Sequence, residues 1–157
     1  MKEIKLTQGK VAIVDDEDFE RLNQFKWCAT LGNSTWYAIR KSTIYGKQKT
    51  IIMHREIMHA HKGIQVDHRN GEGLFNCKEN LRLCTNQQNG FNQRKPQKNN
   101  KLGIKGVGWH KQHRKFSARI MFNGKSIHLG YFNVLGDADS AYRIAEEKYF
   151  GEFARAI

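Results

Sequence analysis

An aspartate and a histidine stand side by side at Asp67 and His68, and two asparagines follow at Asn80 and Asn89. Carboxylate and amide oxygens suit a hard cation such as Mg²⁺, which keeps several waters and completes its coordination with substrate phosphate. A neutral imidazole beside such a cation can take a proton from water near pH 7. The Asn80 amide could hold the imidazole ring in orientation. Together the four residues predict metal-assisted hydrolysis of a phosphodiester.

Two short strands and a helix are needed to position these side chains. Apolar and polar residues alternate through 64–68 and again through 81–83, and glycines break the chain between the two stretches. Thr85 is a good helix cap for the segment that carries Asn89. A hairpin followed by a helix would bring the Asp-His pair close to Asn89. The alternative is that these asparagines and aspartates only cap turns, which they often do.

The charge of the chain favours nucleic acid as its partner. Its 157 residues include 27 Lys and Arg against 15 Asp and Glu, a formal charge of +12. No acidic residue lies between Glu79 and Asp137, whereas eleven Lys and Arg do. Such a surface attracts polyanions. A membrane is not expected, because the bases are interleaved with Gly, Asn and Gln, and no apolar stretch approaches the roughly 20 residues of a membrane span.

The cysteines argue against a structural zinc site or a disulfide framework. Cys28, Cys77 and Cys84 are odd in number and form no CxxC pair. The N-terminus "MKEIKLTQGK" lacks the apolar region of a signal peptide. These observations predict a protein of the cytoplasm, in the host cell if a phage encodes it, with Cys77 and Cys84 as small packing residues.

The first 62 residues predict a strand-rich lead-in. "WYAIRK" and "QKTIIMH" have the composition of strands, with "STIYGK" as the turn between them, and "DEDFERLNQFKW" and "MHREIMHAH" are typical of short helices. Among the histidines of this region, His54 with Arg55 is expected nearest the active site. His59 and His61 are expected to be mainly structural or to face phosphate.

The segment "VDHRNGEGLFNCKENLRLCTNQQN", 66–89, resembles the ββα-metal core of HNH endonucleases, especially the phage and intron-encoded homing type. "QGKVAIVDDEDFERLNQFKW" and "MHREIMHA" are similar to the lead-in of the same group. The resemblance implies that His68 is the general base and that Asp67 and Asn89 are metal ligands, although many HNH enzymes have His at the Asn89 position. It implies that Asn80 orients His68 and stabilises the ββα fold. One Mg²⁺ or Mn²⁺ ion per active site and a double-stranded DNA substrate follow from it.

The C-terminal part resembles the plant ethylene-response-factor type of DNA-binding domain, over roughly residues 103–153. "GVGWHKQHRKFSARIMFNGKSIHLGYF" predicts three antiparallel strands, with a strong hairpin signal at Asn123-Gly124, and an alanine-rich amphipathic helix follows. Strand alternation puts Ala118 and Ile120 toward that helix and Arg119 on the opposite face, which could enter the major groove. The residues predicted to bind DNA, here and in the basic segment that precedes this domain, are Arg94, Lys95, Lys98, Lys105, Trp109, Lys111, Lys115, Ser117, Arg119 and His128.

The sequence therefore predicts an α+β protein with two modules. Residues 1–95 would form the HNH endonuclease domain, with its ββα-metal core at about 64–94, and 96–102 a basic linker. Residues 103–157 would form a small three-stranded antiparallel sheet packed on one helix. The predicted activity is that of a site-preferring, homing-type nicking endonuclease, a monomer with a dimer as the alternative. The rival functions are a DNA-binding regulator with an inactive HNH core and a restriction or toxin nuclease.

Overall fold

A computed structural model describes residues 1–91 and 100–154 of the chain. The contacts within it divide the chain into two compact units, Met1–Asn89 and Gly90–Ile157. The predicted module boundaries stay a prediction, and most of the predicted linker lies outside the described residues. Arg94, Lys95 and Lys98, predicted to bind DNA, lie outside them as well.

The first unit is built from small antiparallel sheets and short helices. Its sheets pair β1 with β2, β3 with β4 and β5, and β6 with β7. The elements in chain order are β1 (Lys2–Lys5), β2 (Val11–Val14), α1 (Asp16–Asn23), β3 (Cys28–Leu31), β4 (Trp36–Ile44), β5 (Lys47–Ile52), α2 (Met53–Ile57), β6 (Gln65–His68), β7 (Leu81–Cys84) and α3 (Asn86–Phe91), whose last two residues belong to the second unit.

One hydrophobic core joins these elements. Trp27 is its largest side chain, and its indole N–H donates to the carbonyl of Leu22 at 2.9 Å, so that the one polar atom of the ring is satisfied inside the core. Met53 and Ile57 of α2 are buried in the same cluster, as the pattern of "MHREIMHAH" predicts. The remaining buried apolar members are Ile4, Leu6, Ala12, Val14, Leu22, Ala29, Ala38, Val66 and Leu81.

The turn between β4 and β5 is shorter than the sequence predicts. The strands extend to Ile44 and from Lys47, so "STIYGK" contributes most of its residues to the strands and only Tyr45 and Gly46 to the turn. Both turn residues have positive φ, 50° and 73°, which is the geometry of a two-residue hairpin turn. Composition alone did not indicate this, because Tyr is an unusual residue at such a position.

The second unit has three antiparallel strands and one long helix, in the order that the sequence predicts. They are β8 (Val107–His110), β9 (Lys115–Phe122), β10 (Lys125–Phe132) and α4 (Leu135–Phe150), and the strand order in the sheet is β10-β9-β8. Asn123 and Gly124 form the turn between β9 and β10. Ala118 and Ile120 are buried on the side that α4 covers, together with Tyr142 of the helix. No helix in the described part of the chain has the length and apolarity needed to cross a membrane.

Candidate active site

The hairpin of β6 and β7 carries the Asp-His pair. Asp67 lies opposite Arg82 and His68 opposite Leu81 in the register of the two strands. α3 follows directly, and Thr85 and Gln88 bond reciprocally at its start: the Thr85 hydroxyl accepts the Gln88 backbone N–H at 3.2 Å, and the Gln88 side-chain oxygen accepts that of Thr85 at 2.9 Å. The predicted order of strand, strand and capped helix is confirmed.

His68 is buried, with 5% of its surface exposed. Its Nε2 lies 3.2 Å from the side-chain oxygen of Asn76. Because an amide oxygen only accepts, Nε2 must carry the proton in this bond, and the lone pair of the neutral ring is then on Nδ1. Burial lowers the pKa of His68, while the bond to Asn76 and the charge of Asp67 act in the opposite direction. The neutral form that a general base requires is therefore favoured near pH 7.

Asn76 is the residue at this site that the sequence argument missed. It is 1% exposed, and besides His68 its amide donates to the carbonyl of Leu74 at 3.2 Å and to the sulfur of Met53 at 3.7 Å. Its backbone N–H donates to the carbonyl of Ile13 at 2.7 Å. The available signal was a polar residue in the otherwise apolar stretch "LFNC", where burial would require it to find partners.

Asn80 stabilises the loop between β6 and β7 through hydrogen bonds of its side chain. Its amide group accepts the backbone N–H of Asn70 at 3.0 Å and donates to the Asn70 side-chain oxygen at 3.0 Å and to the carbonyl of Phe75 at 2.8 Å. The backbone carbonyl of Asn80 accepts the N–H of Arg69, next to His68, at 2.8 Å. These bonds stabilise the hairpin, and the ring-orienting bond to His68 described above comes from Asn76. The catalytic role of Asn80 stays a prediction.

Glycine is required at one point of this loop. A Cβ at Gly73 would collide with the backbone carbonyl of Trp36 and with the ring of Tyr37, 2.7 Å away. The Gly73 N–H donates to the Thr35 hydroxyl at 3.0 Å. The absence of a side chain at Gly73 therefore lets the loop pack tightly on β4.

Two aromatic side chains from earlier in the chain complete the surroundings of His68. The rings of His54 and His68 meet edge to face with centroids 4.9 Å apart, and Tyr37 lies 5.5 Å from His54 and 6.0 Å from His68. Burial lowers the pKa of His54 to about 3, and His68 and Arg55 add to the effect. Burial raises the pKa of Tyr37, and the charge of Asp67 raises it further. His54 therefore packs directly against His68, as expected, and the catalytic role of this cluster stays a prediction.

Asp67 is 6% exposed and forms a buried ion pair with Arg82, whose Nε and Nη2 lie 2.8 and 2.7 Å from its Oδ2. A carboxylate can be buried at low cost only when its charge is compensated, and the guanidinium does so with two charge-assisted bonds to the same oxygen. Asn89 lies in α3, where its backbone N–H bonds to the carbonyl of Thr85 at 3.0 Å. An Asp carboxylate and an Asn amide are the hard oxygen donors that Mg²⁺ or Mn²⁺ takes, so the chemistry of the predicted ligands fits the predicted ion.

The two thiols near this hairpin, those of Cys77 and Cys84, are not reactive. Cys77 and Cys84 are buried and unpaired with each other, and burial raises the pKa of each to about 11. The thiolate is the nucleophilic form, so at neutral pH both act as packing residues, as the sequence predicts.

The second unit presents a polar and aromatic sheet face on the side opposite α4. Ser117 and Arg119 of β9 lie across from Tyr131 and His128 of β10, and Arg119 and His128 are exposed. The rings of His128 and Tyr131 have centroids 4.6 Å apart, and His113 lies 4.4 Å from Tyr131. Arg119 thus lies on the face away from the helix, as strand alternation predicts.

Four of the predicted DNA contacts lie away from this face or are only partly exposed on it. Trp109 is 51% exposed and lies opposite Phe116, so alternation puts it on the side of β8 that also carries the buried Val107. Lys105 bonds to Glu146 of α4 at 3.2 Å and to the carbonyl of Phe91 at 2.6 Å. Lys111 is exposed in the turn before β9, and Lys115 is partly buried at the start of that strand. For all of these residues, DNA binding stays a prediction.

Two viral proteins are similar to this chain. A protein of Acanthamoeba polyphaga mimivirus that is named an uncharacterized HNH endonuclease is 29% identical over 150 residues, which cover 94% of this chain and 74% of the relative. Protein 3.8 of Escherichia phage T7 is 32% identical over 94 residues, which cover 60% of this chain and 76% of the relative. No protein-family model and no solved structure matches the chain. The name of the mimiviral protein suggests nuclease chemistry, whereas neither name bears on the C-terminal resemblance.

Proposed function

We propose that this chain, which belongs to the same protein family as Protein 3.8 of Escherichia phage T7, is a metal-dependent endonuclease of the HNH type that hydrolyses phosphodiester bonds in double-stranded DNA. The observation that carries the proposal is the buried hairpin end at which Asp67 and His68 meet. There a neutral imidazole is oriented by Asn76 beside a charge-compensated carboxylate. A mimiviral relative that is named an HNH endonuclease supports the same chemistry.

His68 is the general base in this proposal. Because the Nε2–H group donates a hydrogen bond to Asn76, Nδ1 is the nitrogen that takes a proton from the attacking water. Asp67 and Asn89 would hold one Mg²⁺ or Mn²⁺ ion. When bound, this ion supplies Lewis-acid stabilisation of the charge that develops on the phosphate and the leaving oxygen. One such site per chain cuts one strand, so a monomer would nick DNA in the manner of a homing-type enzyme.

The second unit would supply most of the contacts that set site preference. Arg119, on the exposed face of β9, has the side chain that can bond the edge of a guanine in the major groove. His128 and Ser117 lie beside it on the same face. The positive charge of the chain, +12, would add affinity that does not depend on sequence.

The experiment is cleavage of supercoiled plasmid by the pure protein with Mg²⁺ and with a chelator. We expect relaxed circles with Mg²⁺ and no product with the chelator. His68→Ala should lower the cleavage rate at least ~10²-fold while DNA binding stays near that of the wild type, because only the proton acceptor is removed. The matched control is His61→Gln, since His61 is an exposed histidine outside the hairpin. Cleavage by wild-type protein in the chelator would refute the metal site.

The metal ligands need separate variants because Asp67 also has a structural partner. Asp67→Asn keeps the shape of the side chain and removes its charge, so metal-dependent cleavage should be lost. Asn89→Ala should be cleavage-deficient with Mg²⁺ and partly rescued by excess Mn²⁺. Urea unfolding of each variant separates a lost ligand from a lost fold.

One observation favours a second function, a DNA-binding regulator with an inactive core. Arg82 bonds Oδ2 of Asp67, an oxygen that a metal ligand would offer to the ion. Under this alternative the wild-type protein binds duplex DNA but leaves plasmid supercoiled at every Mg²⁺ and Mn²⁺ concentration. The same plasmid assay therefore separates the two functions.

A further inference from the structure

The β4–β5 hairpin extends beyond the core of the first unit. Its root is held by Ala38, which is buried, and by Ile51, which packs against the core. Beyond that point four residue pairs, from Lys41 opposite Thr50 to Ile44 opposite Lys47, are exposed apart from the partly buried Ser42. At the rise of a β-strand, four residues extend roughly 13 Å. The hairpin is a protruding two-stranded ribbon.

A tyrosine occupies the tip of this ribbon at a conformational cost. Tyr45 is 99% exposed, and its φ of 50° lies in the left-handed region, which bulky side chains rarely adopt. The turn of the second unit has the same geometry, with φ of 50° and 73°, but there the residues are Asn123 and Gly124, the pair that this turn favours. Strain that no packing in the free protein repays is the kind found at functional positions.

The charge around the tip is of one sign. Lys47 and Lys49 point to the same side of the ribbon as Ile44, and Lys41 points to the other. All three lysines are exposed. From residue 21 to residue 55 the sequence has seven Lys and Arg and no Asp or Glu. A cationic ribbon with an aromatic tip complements a polyanion that also offers base surfaces, and an antiparallel ribbon of two strands fits the major groove of DNA.

We propose that the β4–β5 hairpin is a DNA-binding finger of the first unit, which enters the major groove with Tyr45 against base edges and Lys47 and Lys49 on phosphates. The choice of duplex DNA as the partner rests on the proposed nuclease function. The finger would give the first unit its own contacts with the substrate, separate from those proposed for the sheet face of the second unit.

The central variant is Tyr45→Asn, which recreates the Asn-Gly turn found at Asn123-Gly124. Duplex binding is measured by fluorescence anisotropy in a chelator, so that it does not depend on cleavage. One hydrogen bond to a base edge corresponds to roughly a two- to tenfold change in affinity, so Tyr45→Asn should weaken duplex binding by about that factor. The urea midpoint of the variant should equal or exceed that of the wild type, because Asn tolerates the left-handed region. If Tyr45 were purely structural, the variant would bind duplex DNA as the wild type does and would have a lower urea midpoint.

The charge of the finger is tested separately. Lys47→Gln and Lys49→Gln should each lower the slope of log affinity against log salt by about 0.9, the value for one phosphate contact. Lys62→Gln, an exposed lysine in another loop, is the charge control, and Leu31→Asn, an exposed apolar residue on β3, is the control for the aromatic tip. Both controls should bind as the wild type does.

Unchanged duplex affinity of the Tyr45→Asn variant overturns the proposal that the β4–β5 hairpin binds DNA. A loss confined to single-stranded oligonucleotides also overturns it, because a groove contact requires the duplex. Wild-type protein that binds duplex DNA but cleaves no plasmid in Mg²⁺ refutes the nuclease proposal and leaves the finger to be judged by its own binding data.

Discussion

Protonation of His54 should make the first unit unstable in mild acid. The ring is buried against His68 and Tyr37, and its pKa is lowered to about 3 from an ordinary value of 6.5. In the unfolded chain the same ring takes a proton as the pH falls below about 6.5. Between these two values the unfolded state binds one proton more than the folded state. Stability is therefore fully present above pH 6.5 and is lost as the pH falls.

The size of the effect follows from the proton difference. One proton corresponds to about 1.4 kcal/mol per pH unit, so between pH 7 and pH 5 this histidine should lower the free energy of unfolding by about 2 kcal/mol. His68, whose pKa is also lowered, acts in the same direction. His54→Phe keeps a ring beside His68 but cannot be protonated. Relative to the wild type, the variant should therefore lose about 2 kcal/mol less between the two pH values.

Urea unfolding followed by tryptophan fluorescence measures this difference. Trp27 and Trp36 lie in the first unit and Trp109 in the second, so a Trp109→Phe background restricts the signal to the unit that contains His54. His61→Gln, a change at an exposed histidine, should leave the pH dependence unaltered. If His54→Phe and the wild type lose the same stability between pH 7 and pH 5, the ring is protonated in the folded protein and the reasoning from burial fails.

Three further outcomes are expected. Asn80→Ala removes three hydrogen bonds from a buried side chain and should lower the free energy of unfolding by about 2–4 kcal/mol in urea titrations. Arg82→Gln leaves the Asp67 carboxylate buried without its charged partner and should cost about 3–5 kcal/mol, while the double variant with Asp67→Asn should recover part of that loss. Arg119→Ala should reduce discrimination between cleavage sites by about 1–3 kcal/mol in a random-sequence library, and Met121→Ala, on the same face, should not.

The elements of the fold could be predicted where their signals are local. The Asn123-Gly124 turn and the Thr85 cap of α3 each depend on a few neighbouring residues whose backbone preferences are strong, and both are found as predicted. The face of β9 that meets α4 follows from alternation in the same way. In each case the residues that carry the signal lie within one turn or one strand of the structure that they form.

The partners of the site residues could not be predicted because they come from distant parts of the chain. Tyr37 reaches His68 from β4, and Met53 contacts Asn76 across 23 residues of sequence. Such contacts depend on how the small sheets pack on the shared core, which no local pattern encodes. The sequence therefore indicates the Asp-His pair but not the contact between Asn76 and the His68 ring.

The two hairpin turns of equal geometry explain why one part of the fold was predicted and the other was not. Asn123 and Gly124 are residue types that tolerate a positive φ, so this turn can be predicted from the sequence alone. At Tyr45-Gly46 the first residue opposes the same φ, and the sequence accordingly predicts a longer turn. A sequence that serves only folding would have removed this conflict, since one substitution to Asn does so. The conflict between local preference and observed geometry is thus the feature that directs attention to Tyr45 as a contact residue rather than a structural one.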